Sequence, residues 1–136
     1  MLKTKKKDRT AAPDVGALQL SIAEIAAESW RFERALNKML RRMDVMDAER
    51  FARQYDYFAT RVDRALAAAE LTVLDLTGQP YSVGLPVQAM NLEEFDEDES
   101  LIVEQTIEPV IMLGGRVLKT GMVMVNSVRR MGQAEE

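Results

Sequence analysis

Residues 110–125 read VIMLGGRVLKTGMVMV, in which Gly114 and Gly115 separate two apolar runs. Two apolar runs joined by a glycine pair are typical of a β-hairpin, because glycine adopts the positive φ angles that tight turns require. The last four residues, Met122 to Val125, are apolar on both faces of a strand. Such a pattern indicates a strand that is covered on both sides. We therefore predict a hairpin around Gly114 and Gly115, followed by a central strand.

Further strands are predicted on the N-terminal side of this hairpin. Residues 71–76 have strand composition and end at the turn signal Gly-Gln-Pro of residues 78–80. Residues 101–107 also favour a strand, and the nearby Pro109 predicts that this strand is bulged or lies at a sheet edge. Residues 81–90, which contain a glycine and a proline, are predicted to be irregular, with at most a short strand.

The first half of the chain is predicted to be helical. Between Gly16 and Glu70 there is no proline or further glycine, and strong helix formers dominate. Pro13 and Asp14 precede this run and suit a helix start, with Asp14 near the cap.

Large apolar side chains in this half recur at heptad spacing and define two seams. The first seam contains Leu18, Ile22, Ile25, Phe32, Leu36, Met39, Met43 and Met46, and the second contains Phe51, Tyr55, Phe58, Val62, Leu66 and Ala69. The step from Met46 to Phe51 breaks the period. Either one helix carries a discontinuity there, or two helices meet at a turn capped by Asp44 or Asp47, and we favour two helices.

Two helices alone bury little, so the seams need a partner surface. Pairing the seams of two copies would bury them in a coiled coil or a four-helix bundle. The alternative is that the seams pack on the C-terminal half of the same chain. We predict a homodimer, with interface residues Leu18, Ile22, Ile25, Phe32, Leu36, Met39, Met43, Phe51, Tyr55, Phe58 and Val62.

The predicted fold class is α+β, with dimerising helices followed by a small β-domain that contains the hairpin. The predicted divisions are a basic flexible tail (1–15), a helical dimerisation region (16–70), a β-domain (71–127) and a polar C-terminal tail (128–136). Residues 1–10 carry five basic side chains and one acidic, whereas residues 91–108 carry eight acidic side chains and no basic one. Both charged stretches are expected to be solvated.

Composition excludes several classes of function. The 136 residues include neither cysteine nor histidine, which removes disulfides, Cys/His zinc sites, thiol nucleophiles and imidazole-based catalysis. The formal net charge is −4, and no apolar run is long enough to span a membrane. We expect a soluble cytoplasmic protein that is not an enzyme, uses no metal or other cofactor, and binds neither nucleic acid nor membranes.

From about residue 72 to residue 125 the sequence resembles the β-domain of GrpE, the nucleotide exchange factor of DnaK-type chaperones. Gly78-Gln79-Pro80-Tyr81 matches the first turn of the family pattern, residues 91–100 match its acidic spacer, and residues 101–107 match the strand that follows. The most specific block is residues 113–125, which keeps the arginine at Arg116, a cation at Lys119 and the closing apolar alternation. The helical half matches the family in its general character. The resemblance therefore implies that the chain is a compact and divergent member.

The resemblance implies a function in protein folding and the stress response. The β-domain would bind the nucleotide-binding domain of a DnaK-type chaperone, wedge it open and release ADP. By position in the family pattern, the partner-binding residues would be Ile107, Leu113, Gly114, Gly115, Arg116 and Lys119. The alternative hypothesis is a dimeric scaffold or adaptor that has this architecture without exchange activity.

Overall fold

A computed structural model describes residues 14–135, with side chains through residue 132. The basic tail predicted at 1–15 lies outside the described residues, apart from Asp14 and Val15. The described chain is α+β, with two long helices followed by small β-sheets. No helix within residues 14–135 is both long enough and apolar enough to cross a membrane.

The two helices meet at a capped turn, as predicted. Helix α1 spans Val15–Leu40, and the Asp14 carboxylate caps it by accepting a hydrogen bond from the Gly16 amide at 3.0 Å. Helix α2 spans Val45–Ala68, and Asp44 caps it by accepting a hydrogen bond from the Asp47 amide at 3.0 Å. The break in the heptad period is therefore a turn between two helices. Asp44 is the last residue of this turn and the N-cap of α2.

Six strands follow the helices. They are β1 (Leu71–Leu74), β2 (Val87–Ala89), β3 (Leu101–Glu108), β4 (Val110–Leu113), β5 (Arg116–Lys119) and β6 (Gly121–Ser127). A short 3₁₀ turn spans Leu92–Glu94, between β2 and β3. Helix α3 (Val128–Glu135) occupies most of the segment predicted as a polar C-terminal tail.

The strands form two three-stranded sheets. Sheet A is antiparallel in the order β1-β4-β5, and sheet B has the order β2-β6-β3, with β2 parallel and β3 antiparallel to β6. The apolar strand β6 is central in its sheet, as predicted. Strand β3 lies at an edge and its pairing with β6 shifts register twice, so the expectation of a bulged or edge strand before Pro109 is confirmed.

The chain passes from sheet B to sheet A at Pro109, and this crossing is tight. A Cβ atom on Gly121 would lie 2.7 Å from the backbone oxygen of Glu108, which is closer than real Cβ contacts allow. Glycine at position 121 therefore permits β6 to start against the end of β3.

Each sheet has its own apolar core. Sheet A packs against α1 through a buried cluster of three alanines and two larger residues, namely Ala23, Ala26, Ala27, Leu71 and Ile111. Sheet B is built around Leu101, Val103, Val123 and Val125. The small alanine side chains let the helix backbone approach the sheet closely, and this approach fixes the position of the β4–β5 hairpin relative to α1.

Candidate functional site

The β4–β5 hairpin turns through two glycines, as predicted. Leu113 pairs with Arg116 across the turn, and Gly114 adopts a φ of 59°, which an L-residue with a side chain rarely takes. The Gly114 amide donates a hydrogen bond of 2.9 Å to the backbone oxygen of Glu70, just beyond α2. The tip of the hairpin is therefore held against the end of the helical region.

Arg116 and Lys119 have different surroundings, although the family resemblance implies that both contact the partner. Arg116 is exposed and forms no ion pair with any side chain that the structure describes. The Lys119 side chain is only 21% exposed, and its Nζ lies 3.5 Å from carboxylate oxygens of both Glu24 and Glu108. Lys119 therefore ties β5 to α1 and to the end of β3.

Arg31 extends this set of ion pairs. Its Nη1 lies 3.8 Å from the Glu108 carboxylate and 3.2 Å from the carboxylate of Glu28 on the same helix. Two cations thus share Glu108, one from the hairpin and one from α1. Because Glu108 is the last residue of β3, these contacts anchor the corner between the two sheets to the helix.

The remaining predicted partner-binding residues divide between the tip and its support. Gly114 and Gly115 are exposed at the tip, whereas Leu113 is half-buried against the alanine cluster of sheet A. Ile107 is half-buried in a groove beside Trp30 of α1. Ile107 lies before β4 and the tip lies after it, so the structure places Ile107 at the opposite end of that strand. The tip itself presents Gly114, Gly115 and Arg116.

A further polar contact between α1 and the sheets was not predicted from the sequence. Arg34 Nη1 lies 3.3 Å from Asp75 Oδ2 and 3.5 Å from the backbone oxygen of Thr106. Its guanidinium carbon lies 4.6 Å from the centroid of the Trp30 ring. The spacing of Trp30 and Arg34, one helical turn apart, is a sequence signal for this stacking, because residues at i and i+4 share a helix face.

Asp75 is the centre of this contact. Its carboxylate accepts hydrogen bonds from the amide and the hydroxyl of Thr77, at 3.0 and 2.7 Å. Burial raises the pKa of Asp75, but the hydrogen bonds from Thr77, together with Thr106 and the charge of Arg34, outweigh burial and bring the pKa below its ordinary value. Asp75 therefore holds its negative charge where α1 meets both sheets.

The predicted dimerisation residues lie mainly on exposed helix surface. On α1 the exposed members are Leu18, Ile22, Ile25, Phe32 and Met39, while Leu36 is half-buried, as is Met43 in the turn that follows the helix. On α2, Phe51 and Phe58 are exposed, and Tyr55 and Val62 are half-buried. The described part of the chain thus leaves large apolar side chains on both helices in contact with solvent.

The two seams meet only in part. Phe32 of α1 and Phe58 of α2 contact each other edge to face, with ring centroids 6.1 Å apart. Beside them lies an open apolar groove of about 370 Å³, which Ile25 also lines. The helices therefore form an antiparallel pair with an apolar groove along one side.

One carboxylate oxygen is buried on the side of α1 near Asp63 and Tyr55 of α2. Glu33 Oε1 is inaccessible to solvent and has no hydrogen-bond partner within residues 14–135. Burial raises the pKa of Glu33, and the negative charge of Asp63 on α2 raises it further. Burial and nearby carboxylates, Glu33 first among them, also raise the pKa of the Tyr55 hydroxyl. Both causes make the ionised form of Glu33 less favourable here than it is in water.

Among the described residues, no group of three or more acidic side chains is arranged to hold a metal ion.

A scan against protein-family models, a search of curated proteins and a search of solved structures each found no match to this chain.

Proposed function

We propose that this chain is a GrpE-like nucleotide exchange factor, which binds the nucleotide-binding domain of a DnaK-type chaperone and promotes release of ADP. The proposal originates in the sequence resemblance of residues 72–125. The observation that best supports it is the hairpin tip, where Gly114, Gly115 and the exposed Arg116 project from a rigid base. A planar guanidinium on such a tip can pair with carboxylates of a partner in two parallel hydrogen bonds.

The base of the tip is rigid because its supporting contacts lie within the chain. Lys119 is ion-paired to Glu24 and Glu108, and Leu113 packs on the alanine cluster. A wedge must resist deformation, since its binding energy has to distinguish two states of the partner. In this assignment Arg116 makes the contact, and Lys119 positions the strand that carries it.

The exchange step is a shift of population and includes no chemistry on the nucleotide. A protein that binds the open state of a chaperone more tightly than the closed state increases the open fraction, and ADP leaves from the open state. When the exchange factor is saturating, the open-to-closed equilibrium constant of the chaperone is multiplied by the ratio of the two affinities. No catalytic residue or cofactor is required of the exchange factor.

We further propose that the protein acts as a homodimer joined through its helices. Ile25 is 66% exposed and Phe32 is 58% exposed, although both lie on a heptad seam. Exposed apolar surface of this extent on a regular seam marks an interaction site. A second helix pair placed against the groove between α1 and α2 would complete a four-helix bundle.

The exchange proposal is tested by stopped-flow release of a fluorescent ADP analogue from a DnaK-type chaperone of the same organism. We expect the full chain to accelerate release by at least about tenfold, which corresponds to about 1.4 kcal/mol in the barrier. The Arg116→Ala variant should lose this acceleration. Arg53→Ala, which removes an exposed arginine from α2 outside the seams, is the matched control and should retain it.

Thermal unfolding separates a contact role for Arg116 from a structural one. The melting temperature of Arg116→Ala should stay near that of the unsubstituted chain, and a fall of more than about 5 °C would place Arg116 in the structure instead. If release is unchanged by the protein with every such chaperone, exchange activity is excluded. The dimeric adaptor then becomes the preferred function.

A further inference from the structure

Sheet B carries an open cleft of about 930 Å³ that the proposed exchange function does not use. Its inner wall includes Leu101, which belongs to the buried core of the sheet, and Tyr81 and Phe95, which pack against that core. Val83 and Leu92 also line the cleft and are 90% and 41% exposed. The cleft therefore offers apolar surface to a ligand without any rearrangement of the core.

Acidic side chains surround this apolar surface. Glu93 and Glu97 line the cleft, are exposed, and form no ion pair among the side chains that the structure describes. None of the described residues that line the cleft is basic. Because like charges repel, this surface disfavours nucleic acid, anionic lipid surfaces and acidic peptides. The charge of the cleft therefore favours a cationic ligand.

A contact within the chain shows how this surface accepts a cation. The guanidinium carbon of Arg130 lies 4.7 Å from the centroid of the Phe95 ring, and its Nη2 lies 3.9 Å from a carboxylate oxygen of Glu99. Phe95 and Glu99 are themselves among the residues that line the cleft. A cation on an aromatic ring beside a carboxylate is thus already part of this region, and Glu93 and Glu97 offer two further carboxylates.

We propose that this cleft binds a basic segment of a partner protein, in which large apolar side chains are flanked by lysine or arginine. The apolar side chains pack on Val83 and Leu92, and the flanking cations pair with Glu93 and Glu97. The apolar contact supplies affinity, and the opposite charges set the orientation of the segment.

The apolar wall distinguishes a peptide from a small cation such as a polyamine. A ligand without large apolar side chains would leave that wall in water and gain nothing from its burial. The proposal does not depend on exchange activity, because the cleft lies in sheet B and the hairpin tip belongs to sheet A.

Titration with synthetic peptides tests this proposal on the full chain. Amide NMR spectra, recorded as the peptide KKLFKK with blocked ends is added, report both affinity and location. We expect a Kd below about 1 mM, with shifts in the signals of Val83, Leu92 and Phe95 and none in those of Glu49 and Arg53 on α2. The peptide KKSSKK has the same charge without the apolar pair, and should bind at least about tenfold more weakly.

Variants identify the groups responsible. Glu93→Gln with Glu97→Gln should weaken binding of KKLFKK at least about tenfold, and Val83→Ser should weaken it to a smaller extent. The matched control is Glu49→Gln with Glu104→Gln, which removes the same charge from exposed positions outside the cleft and should leave the affinity unchanged. Raising the salt concentration from about 0.1 M to about 1 M shortens the screening length from about 10 Å to about 3 Å and should also weaken binding.

Several results would overturn the proposal. Equal binding of KKLFKK and KKSSKK would mean that the cleft is only an acidic surface. Absence of KKLFKK binding at about 1 mM, or shifts confined to signals outside the cleft, would show that the cleft does not take such a segment. Equal affinity of the two double variants would show that Glu93 and Glu97 do not recognise the cations.

Discussion

Helix α1 has two apolar faces, and the protein uses them in opposite ways. Ala23, Ala26 and Ala27 are at most 2% exposed and pack on sheet A. On the other side of the helix, Ile25 and Phe32 are more than half exposed despite their larger side chains. Side-chain size alone would predict the reverse, since large apolar residues gain more free energy from burial than alanine does.

The difference teaches that close approach, and not apolar area, determines how α1 docks on the β-domain. Three small side chains bring the helix backbone near Leu71 and Ile111, where the packing is complete within one chain. The large side chains are left for a surface that this chain supplies only in part, through Phe58. The alanine face therefore holds the single chain together, and the face with the large side chains is available for the proposed dimer.

The largest effect is expected from charging the exposed face. Ile25→Glu with Phe32→Glu would place two unpaired charges in the proposed interface, and should weaken dimerisation by at least about a hundredfold. Sedimentation equilibrium should give twice the mass of one chain for the unsubstituted protein and the mass of one chain for the variant, with unchanged helicity by circular dichroism.

The control for this variant adds the same charges to exposed apolar residues outside the seams. Val45→Glu with Val128→Glu fits this need, since the two positions are 74% and 50% exposed. This control should remain dimeric. A monomeric unsubstituted protein would contradict the proposed dimer outright.

The next effect concerns the buried face. Ile111 is fully buried against the alanines, so Ile111→Ala should lower the free energy of unfolding by about 2–5 kcal/mol. Ile25→Ala removes the same side chain from the exposed face. In urea titrations at a concentration where the chain is monomeric, its cost should be within about 0.5 kcal/mol. Equal losses for the two variants would mean that the faces do not differ as described.

A smaller effect is expected where α1 meets both sheets through Arg34. Arg34→Ala removes the contacts to Asp75, Thr106 and Trp30 and should cost about 1–2 kcal/mol, discounted for the partial exposure of the ion pair. Arg50→Ala is the matched control, because the ion pair of Arg50 with Asp47 and its contact with the Phe51 ring both lie within its own helix. This variant should cost at most about 0.5 kcal/mol.

The same contact gives a pH dependence. The pKa of Asp75 is lower in the folded chain than its ordinary value of 3.8, so the charged form contributes stability above that pH. This contribution is lost as the pH falls through the lowered pKa. The difference in unfolding free energy between the unsubstituted chain and Asp75→Asn should therefore be constant near neutrality and shrink below pH 3.8.

Local sequence patterns predicted much of this fold. The paired helices, the Asp44 cap, the glycine hairpin and the central strand β6 follow from spacing and turn chemistry within a few residues. The alanine face was missed because the seam pattern counts large side chains, and alanine also serves as a plain helix former. Local spacing does not identify the short parallel strand β2, since its partner β6 lies more than thirty residues later in the chain.

The candidate site was less accessible to sequence analysis, for a physical reason. Arg116 and Lys119 are close in sequence and chemically alike, yet one is exposed and the other is paired with Glu24 and Glu108. Likewise, 41 residues separate Arg34 from Asp75. Such pairings depend on how helix and sheets dock, and docking distances do not appear in local spacing. The sequence therefore indicated the hairpin but not which of its cations is available.

The smallest effect is expected on the third side of α1, which faces α2. Burial and the charge of Asp63 raise the pKa of Glu33 above its ordinary value of 4.5. A raised pKa in an acid means that the folded state binds the proton more tightly than the unfolded state, so this stabilisation is complete below pH 4.5 and is lost as the pH rises through the raised value.

At neutral pH the ionised Glu33 carboxylate slightly lowers the free energy of unfolding. Glu33→Gln should remove it and raise the unfolding free energy by less than about 1 kcal/mol, since the side chain is only half-buried. The gain should vanish below pH 4.5, and Glu49→Gln, an exposed substitution on α2, should show no such trend. A loss of stability at pH 7 in Glu33→Gln would mean that the charged form is favoured between the helices. The region between α1 and α2 would then be a polar contact in its own right, distinct from both apolar faces.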